Sequence, residues 1–175
     1  WPTYMQNPQR TGYTSSRAPK KPISLWNFTA GNIVTSPAVA DGKVFVGSWD
    51  KNVYAVNQST GQEIWRFTTG AEVPSSPTAV GDRVYFGSFD GNVYALDQAT
   101  GIKIWNTTVG HVYFSSPIVI DNRVFIGSSK TSSYSRLLAL NQATGSIIWE
   151  FGANDTITSS PAVAYQKVFV IVDNG

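Results

Sequence analysis

Short apolar stretches separated by pairs of turn-forming residues run through the chain from about residue 36 onward. Val44-Phe45-Val46, Val53-Tyr54-Ala55-Val56 and Ile64-Trp65 are followed forty residues later by Val84-Tyr85-Phe86, Val93-Tyr94-Ala95-Leu96 and Ile104-Trp105. Each stretch is too short for a packed helix and rich in β-branched and aromatic side chains, which fit a pleated, half-buried surface. The first unit predicts four strands, over residues 36–40, 43–49, 52–57 and 62–68. Asp41-Gly42, Gly81-Asp82 and Asp121-Asn122 divide strands one and two of successive units, and Thr-Gly pairs at 60–61, 100–101 and 144–145 divide strands three and four. Such residues tolerate the positive φ of tight hairpin turns. The pattern predicts an all-β chain of about 15 short strands.

The units repeat. Ser-Pro recurs at Ser36, Ser76, Ser116 and Ser160, at intervals of 40, 40 and 44 residues, and Trp recurs in step at Trp26, Trp65, Trp105 and Trp149. Between them an eleven-residue block appears three times, running from Ala55 to Trp65, from Ala95 to Trp105 and from Ala139 to Trp149. A period near 40 residues with four antiparallel strands per period is the signature of a propeller blade. Radial repetition buries both faces of each sheet, which accounts for consecutive apolar residues such as Val84-Tyr85-Phe86. The predicted fold is therefore a β-propeller of four-stranded antiparallel blades, about three complete and a fourth split or truncated. The units lie near residues 36–70, 76–110, 116–152 and, in part, 159–175, after a lead-in over residues 1–24.

The eleven-residue block resembles the tryptophan-docking motif of the pyrroloquinoline-quinone-like propeller repeat family. That family includes quinoprotein dehydrogenases and the outer-membrane assembly lipoprotein propellers. The resemblance covers the chain from about residue 25 to its end, and the stretch from Trp1 to Tyr13 resembles the lead-in of exported members. It implies that Trp26, Trp65, Trp105 and Trp149 dock between neighbouring blades near the Ala and Gly of the motif, with Gly61, Gly101 and Gly145 as the docking glycines. Trp65, Trp105 and Trp149 are expected to be buried and structural. Family members commonly close their rings with seven or eight blades.

Residues 25–29 read as the outer strand of a blade whose inner strands lie elsewhere, and residues 159–164 and 167–172 read as inner strands lacking outer ones. Joined, they still lack one strand. The expectation is a fragment of a longer chain, or else copies that associate to complete a ring, because an open arc exposes strand edges that natural proteins cover.

Composition narrows the function classes. The chain is 42% hydrophobic and 14% charged, with a net charge of +2, too small for a phosphate-tracking surface, so nucleic acid is not an expected partner. With no cysteine there is no disulfide, thiolate metal site or cysteine nucleophile. No apolar run reaches the ~18 residues of a transmembrane helix. The four Asn-X-Ser/Thr triplets, beginning at Asn27, Asn57, Asn106 and Asn154, are what a chain rich in Asn, Ser and Thr produces by chance. A start at Trp1 suggests a processed or excised chain, and the expected location is extracellular, cell-surface or periplasmic.

Strand alternation places the four-to-one and two-to-three connections on one rim, and loops on a rigid scaffold carry function. The candidate binding rim comprises Trp49, Phe89, His111, Tyr113, Phe114 and Tyr134, with a four-residue insertion within residues 128–135. His111 is the only histidine and has no paired nucleophile at a recognisable spacing, so no catalytic residue is assigned. Asp50, Asp90 and Asp173 recur, but as hairpin-tip residues they read as turn chemistry, and no metal site is assigned. The leading expectation is a non-catalytic scaffold that binds a protein or assembles with itself, without a cofactor. Resemblance to quinoprotein dehydrogenases implies a second possibility, an N-terminal fragment of such an enzyme using pyrroloquinoline quinone with calcium. The vicinal cysteine pair of those enzymes is absent, and their calcium-binding carboxylates and catalytic Asp find no matching positions. A third possibility is a carbohydrate-binding surface module using Trp49 and Phe89.

Overall fold

A computed structural model describes residues 20–21, 23–32, 35–131 and 134–172. These hold fourteen strands and no helix. Blade one contains β1 (Ala38–Ala40), β2 (Lys43–Gly47), β3 (Asn52–Asn57) and β4 (Glu63–Thr68), paired antiparallel in that order. Blade two contains β5 (Thr78–Val80), β6 (Arg83–Gly87), β7 (Asn92–Asp97) and β8 (Lys103–Thr108). Blade three contains β9 (Ile118–Ile120), β10 (Arg123–Thr131), β11 (Tyr134–Asn141) and β12 (Ile147–Ala153). A two-stranded sheet, β13 (Ala162–Ala164) with β14 (Lys167–Phe169), forms the inner half of a fourth blade.

Several strands are shorter than the sequence expectation, the last two spanning only Ala162–Ala164 and Lys167–Phe169, and at two ends of blade one a backbone N–H has another acceptor. Strand one begins at Ala38 rather than Ser36, since the Ser36 N–H donates to the hydroxyl of Ser76 in the next blade, 3.0 Å away. The same bond runs from Ser76 N–H to Ser116 and from Ser116 N–H to Ser160, so the Ser-Pro repeat is a relay along the inner strands. Strand two ends at Gly47 rather than Trp49, since the Trp49 N–H donates to the carbonyl of Asn32. In blade three the insertion lengthens the hairpin instead of forming a loop: the ladder continues through Ser128↔Arg136 and Ser129↔Ser135.

The apolar core lies between blades. Phe45, Val53, Ala55 and Trp65 of blade one pack with Ala79, Val84, Phe86 and Tyr94 of blade two, and Tyr85 and Trp105 belong to a second cluster shared with Ile126 and Leu138 of blade three. Within each sheet the tryptophan stands opposite an alanine, in the pairs Ala55↔Trp65, Ala95↔Trp105 and Ala139↔Trp149. The small residue leaves the ring room to lean toward the next blade.

That lean has a direction. Trp26 lies on Gly61, Trp65 on Gly101 and Trp105 on Gly145, each tryptophan meeting the glycine of the blade that follows it. All three glycines have φ between 71° and 75°, and a Cβ at Gly101 would stand 2.7 Å from the Trp65 ring, so the position needs glycine twice over. The indole N–H groups donate to the carbonyls of Gln58, Gln98 and Gln142 at 2.9, 3.1 and 3.1 Å. Trp65 and Trp105 are 8% exposed, as expected. Trp149 is not buried: it is 38% exposed, because no glycine turn of a following blade meets it among the described residues. Residues 25–29, read as an outer strand whose inner strands lie elsewhere, form no strand and do not pair with β14; they are held on blade one by Trp26 and by Phe28 against Tyr54.

Replacing Trp65 or Trp105 by Ala is expected to cost about 3–5 kcal/mol, as for other buried aromatic truncations. Trp149→Ala is expected to cost about 1 kcal/mol or less, as for partly exposed side chains. Urea denaturation of the three variants measures the contrast, and equal losses would refute the directional docking.

Candidate binding rim

The segments that enter blades one, two and three are each anchored to the two-to-three hairpin of the blade they enter. In blade one Asp50 Oδ2 accepts from the Gly31 N–H at 2.9 Å and from the Tyr54 hydroxyl at 2.7 Å, while Oδ1 accepts from the Asn52 backbone and side chain, both at 3.1 Å. Blade two repeats the arrangement: Asp90 Oδ2 accepts from Gly70 N–H at 2.8 Å and Tyr94 at 2.6 Å, and Oδ1 accepts from Asn92. Burial raises the Asp50 carboxyl, but the hydrogen bonds from Tyr54, the Gly31 N–H, Ser48 and Asn52 outweigh it and bring the group down to about 2. Tyr54 and Tyr94 are pushed above the usual phenol range, by burial first and the neighbouring carboxylate second. In blade three Arg136 takes over the task, pairing with Glu150 at 2.6 Å and donating to the carbonyl of Val109. The spacing Asp-x-Asn-x-Tyr in both earlier blades was the sequence signal for this clamp.

These bonds decide what the carboxylates can do. With both oxygens engaged, Asp50 and Asp90 have no directed lone pair left for a metal, and no three His, Cys, Asp or Glu residues converge among the described residues. Asp50 and Asp90 are therefore not free to ligate a calcium ion. Asp173, the third recurring carboxylate, lies outside the described residues.

The aromatic residues fall into two groups. Phe89, Tyr113 and His111 are brought together: the Phe89 and Tyr113 rings meet edge to face at 5.4 Å, and the His111 ring stands 6.3 Å from Tyr113. His111 Nδ1 lies 2.6 Å from the carbonyl of Phe89, which can only accept, so Nδ1 carries the proton. Its own backbone bridges to Ser129 of the long hairpin, with the Ser129 N–H donating to the His111 carbonyl at 2.8 Å. His111 is thus a latch between the linker and two hairpin tips. Trp49, at the place Phe89 holds one blade later, is 45% exposed, and Phe114 is 53% exposed. Tyr134 sits apart, where its ring covers Gly152 on β12.

The opposite rim carries a shallow depression of about 410 Å3 lined by Asp82, Arg83, Asn122, Asn141, Gln142 and Ala143. Its cation is already engaged, since Arg83 donates to the carbonyls of Gln142 and Ala143 at 2.8 and 3.1 Å. Sequence reasoning missed the residues that seal the linkers from below. Val73, Val112 and Ile157 press against Gly47, Gly87 and Gly127, and the recurring glycine at the end of strand two was the available signal.

Because the Asp50 carboxyl sits at about 2 in the folded chain against an ordinary 3.8, its contribution is present above pH ~4 and is lost as pH falls through about 2. Asp50→Asn is therefore expected to lower stability at neutral pH and to flatten the stability profile in that acid window. Denaturation midpoints measured from pH 2 to 7 check it, and an unchanged slope in the variant would contradict the clamp.

The family model for the outer membrane protein assembly factor BamB matches residues 9–131 and 114–175. No curated protein matches the sequence. BamB from Moraxella catarrhalis superposes with a TM-score of 0.69 at 18% identity, over 83% of this chain and 48% of that one. The quinohemoprotein alcohol dehydrogenase of Comamonas testosteroni superposes with a TM-score of 0.74 at 23% identity, over 87% of this chain and 27% of that one. The computationally designed protein Ika4 superposes with a TM-score of 0.76 at 16% identity, over 89% of this chain and 95% of that one. The chain spans less than half the length of these two natural proteins. With three tryptophan–glycine docks in place and the family model covering nearly all of the chain, it belongs to the BamB family of pyrroloquinoline-quinone-like propellers.

Proposed function

We propose that the chain is a non-catalytic propeller scaffold, exported or cell-surface, whose linker rim binds another protein. The observation that carries this reading is how the rim divides its side chains. Its recurring carboxylates are bound internally, while aromatic rings are left facing outward on a scaffold held by three kinds of inter-blade bond. Exposed aromatics on a rigid surface are suited to protein recognition, because they offer a large contact area at small cost in conformational entropy. The name of the family, an outer membrane protein assembly factor, supports the same direction and suggests an unfolded outer-membrane β-barrel polypeptide as the first probe.

A second reading rests on the likeness to quinohemoprotein alcohol dehydrogenases, in which the chain would be part of a quinone-dependent enzyme. The engaged carboxylates of Asp50 and Asp90 argue against a calcium-bound quinone on the described residues.

Fluorescence anisotropy with a labelled, urea-unfolded porin diluted into buffer tests the first reading. The double variant Trp49→Ser with Phe114→Ser alters only exposed rings and is expected to weaken binding about tenfold, as for loss of an aromatic hot spot. Equal binding by the variant, or none by the parent chain, would overturn the rim assignment. Isothermal titration with pyrroloquinoline quinone and calcium tests the second reading. No binding tighter than micromolar is expected, and tighter binding would overturn the scaffold proposal.

A further inference from the structure

The rim of tight turns holds a second depression, of about 520 Å3, between blades one and two. Its walls are apolar, formed by Val39 and Ala40 at the end of β1 and by Ala79 and Val80 at the end of β5, and Asp41 and Gln98 supply its polar groups. Gln98 is 5% exposed. Its Nε2 donates to Asp41 Oδ2 at 2.8 Å, and because a carboxylate only accepts, this bond fixes which end of the amide is which. The remaining atom, Oε1, is buried and has no hydrogen-bond partner among the described residues. A buried acceptor left unpaired carries a free-energy penalty that a donor from outside removes. The bond to the carboxylate also polarises the amide, which makes Oε1 the stronger acceptor.

The next junction is arranged differently. Gly81 stands there at the place of Asp41, and Gln142 at the place of Gln98. Arg83 of the preceding blade reaches across and donates to the carbonyls of Gln142 and Ala143 at 2.8 and 3.1 Å. Lys43, which holds Arg83's place in blade one, turns back instead to the carbonyl of Asp41 at 3.3 Å. The first junction thus presents a carboxylate and an amide oxygen where the second is bridged by the chain's own cation.

We propose that this depression is a binding site for a primary alkylammonium group, the chemistry shared by a lysine side chain and a free amine. The aliphatic stem lies along Val39, Ala40, Ala79 and Val80, as the stems of long cationic side chains do on apolar surface. The ammonium meets the exposed Asp41 carboxylate at the mouth, and rotation about the soft terminal torsion of Gln98 turns Oε1 toward it. A guanidinium fits less well. Gln98 already occupies Asp41 Oδ2, so the carboxylate cannot receive a planar fork on both oxygens, whereas an ammonium needs one oxygen from each group. The site lies on the rim opposite the aromatic residues and stands or falls independently of the function assigned to them.

The test is nuclear magnetic resonance of the full nitrogen-15 labelled chain titrated with n-butylammonium chloride, read at the Gln98 side-chain amide and the Ala99 N–H. Tetramethylammonium chloride at equal concentration is the control, having the same charge and no N–H donor. Saturable shifts are expected with n-butylammonium alone, with a Kd on the order of 1–10 mM, the range open to so small a ligand. Asp41→Asn keeps a residue suited to the φ of 47° at that turn and is expected to weaken binding about tenfold, through loss of the charge-assisted bond. Gln98→Met, close in shape, is expected to weaken it about fivefold, as for loss of one hydrogen bond. Because Asp41 is an exposed turn residue, the Asp41→Asn variant decides the matter even where Gln98→Met fails to give a folded spectrum. A blocked Gly-Lys-Gly peptide separates the sources: binding as tight as that of n-butylammonium upholds the site as one for a partner's lysine, and weaker binding upholds it as one for a free amine. Equal shifts with tetramethylammonium, or unchanged affinity in Asp41→Asn, would overturn the proposal.

Discussion

The structure depends on one contact: an indole ring laid flat on a glycine that has no Cβ and a left-handed backbone. Dispersion between ring and backbone is collectively large only if the two approach closely, and any side chain at Gly101 would hold them apart. The indole N–H would be a buried orphan without an acceptor, and the carbonyl of the glutamine three residues before each glycine supplies one. Because donor and receiver sit in different blades, the contact fixes the distance and order of the blades. The alanine opposite each tryptophan and the Asn or Asp that shapes each turn serve the same contact. Asn57, Asp97 and Asn141 each accept two backbone N–H bonds that hold the turn in shape.

Two further ties work at other radii of the same junction. Near the axis the serine relay joins successive inner strands, and on the linker rim Asp50 and Asp90 bind a linker glycine and a tyrosine of their own blade. Blade three exchanges the second tie for Arg136 and Glu150, which goes together with its longer hairpin and with the loss of both the aspartate and the tyrosine. The rim therefore gains a projecting ribbon beside the Phe89, Tyr113 and His111 cluster without losing its anchorage. A rigid rim with outward aromatic rings is what a binding surface needs, since little conformational freedom remains to be lost on contact.

The repeat made the blades legible, since strand three and the glycine turns follow directly from the period and the turn residues. Trp149 shows the limit of that reading. Its sequence environment is like that of Trp65 and Trp105, and it is exposed because no glycine turn faces it among the described residues. The turn between β13 and β14 was legible from the repeat, which placed it at residues 165–166, and not from its own residue types. Tyr165 and Gln166 adopt φ of 51° and 58° although neither is a usual residue for positive φ, so pairing of the flanking strands overrides local preference. His111 was not assigned as a catalytic base, for want of a paired nucleophile at a recognisable spacing, and its role as a latch needed the position of the Phe89 carbonyl. Of the candidate rim, the association of Phe89 with Tyr113 came from the seating of the linker on the blade-two hairpin tip, and the separation of Tyr134 from the hairpin geometry of blade three, which the sequence marked only as an insertion.

Directional docking is tested most directly by the exchange of indole N–H protons in a nitrogen-15 labelled chain, followed by nuclear magnetic resonance. The indole protons of Trp65 and Trp105, each bonded to a glutamine carbonyl beneath a covering blade, should exchange only on global unfolding, while that of Trp149 should exchange at the rate of an open surface group. Exchange at Trp65 as fast as at Trp149 would contradict the account.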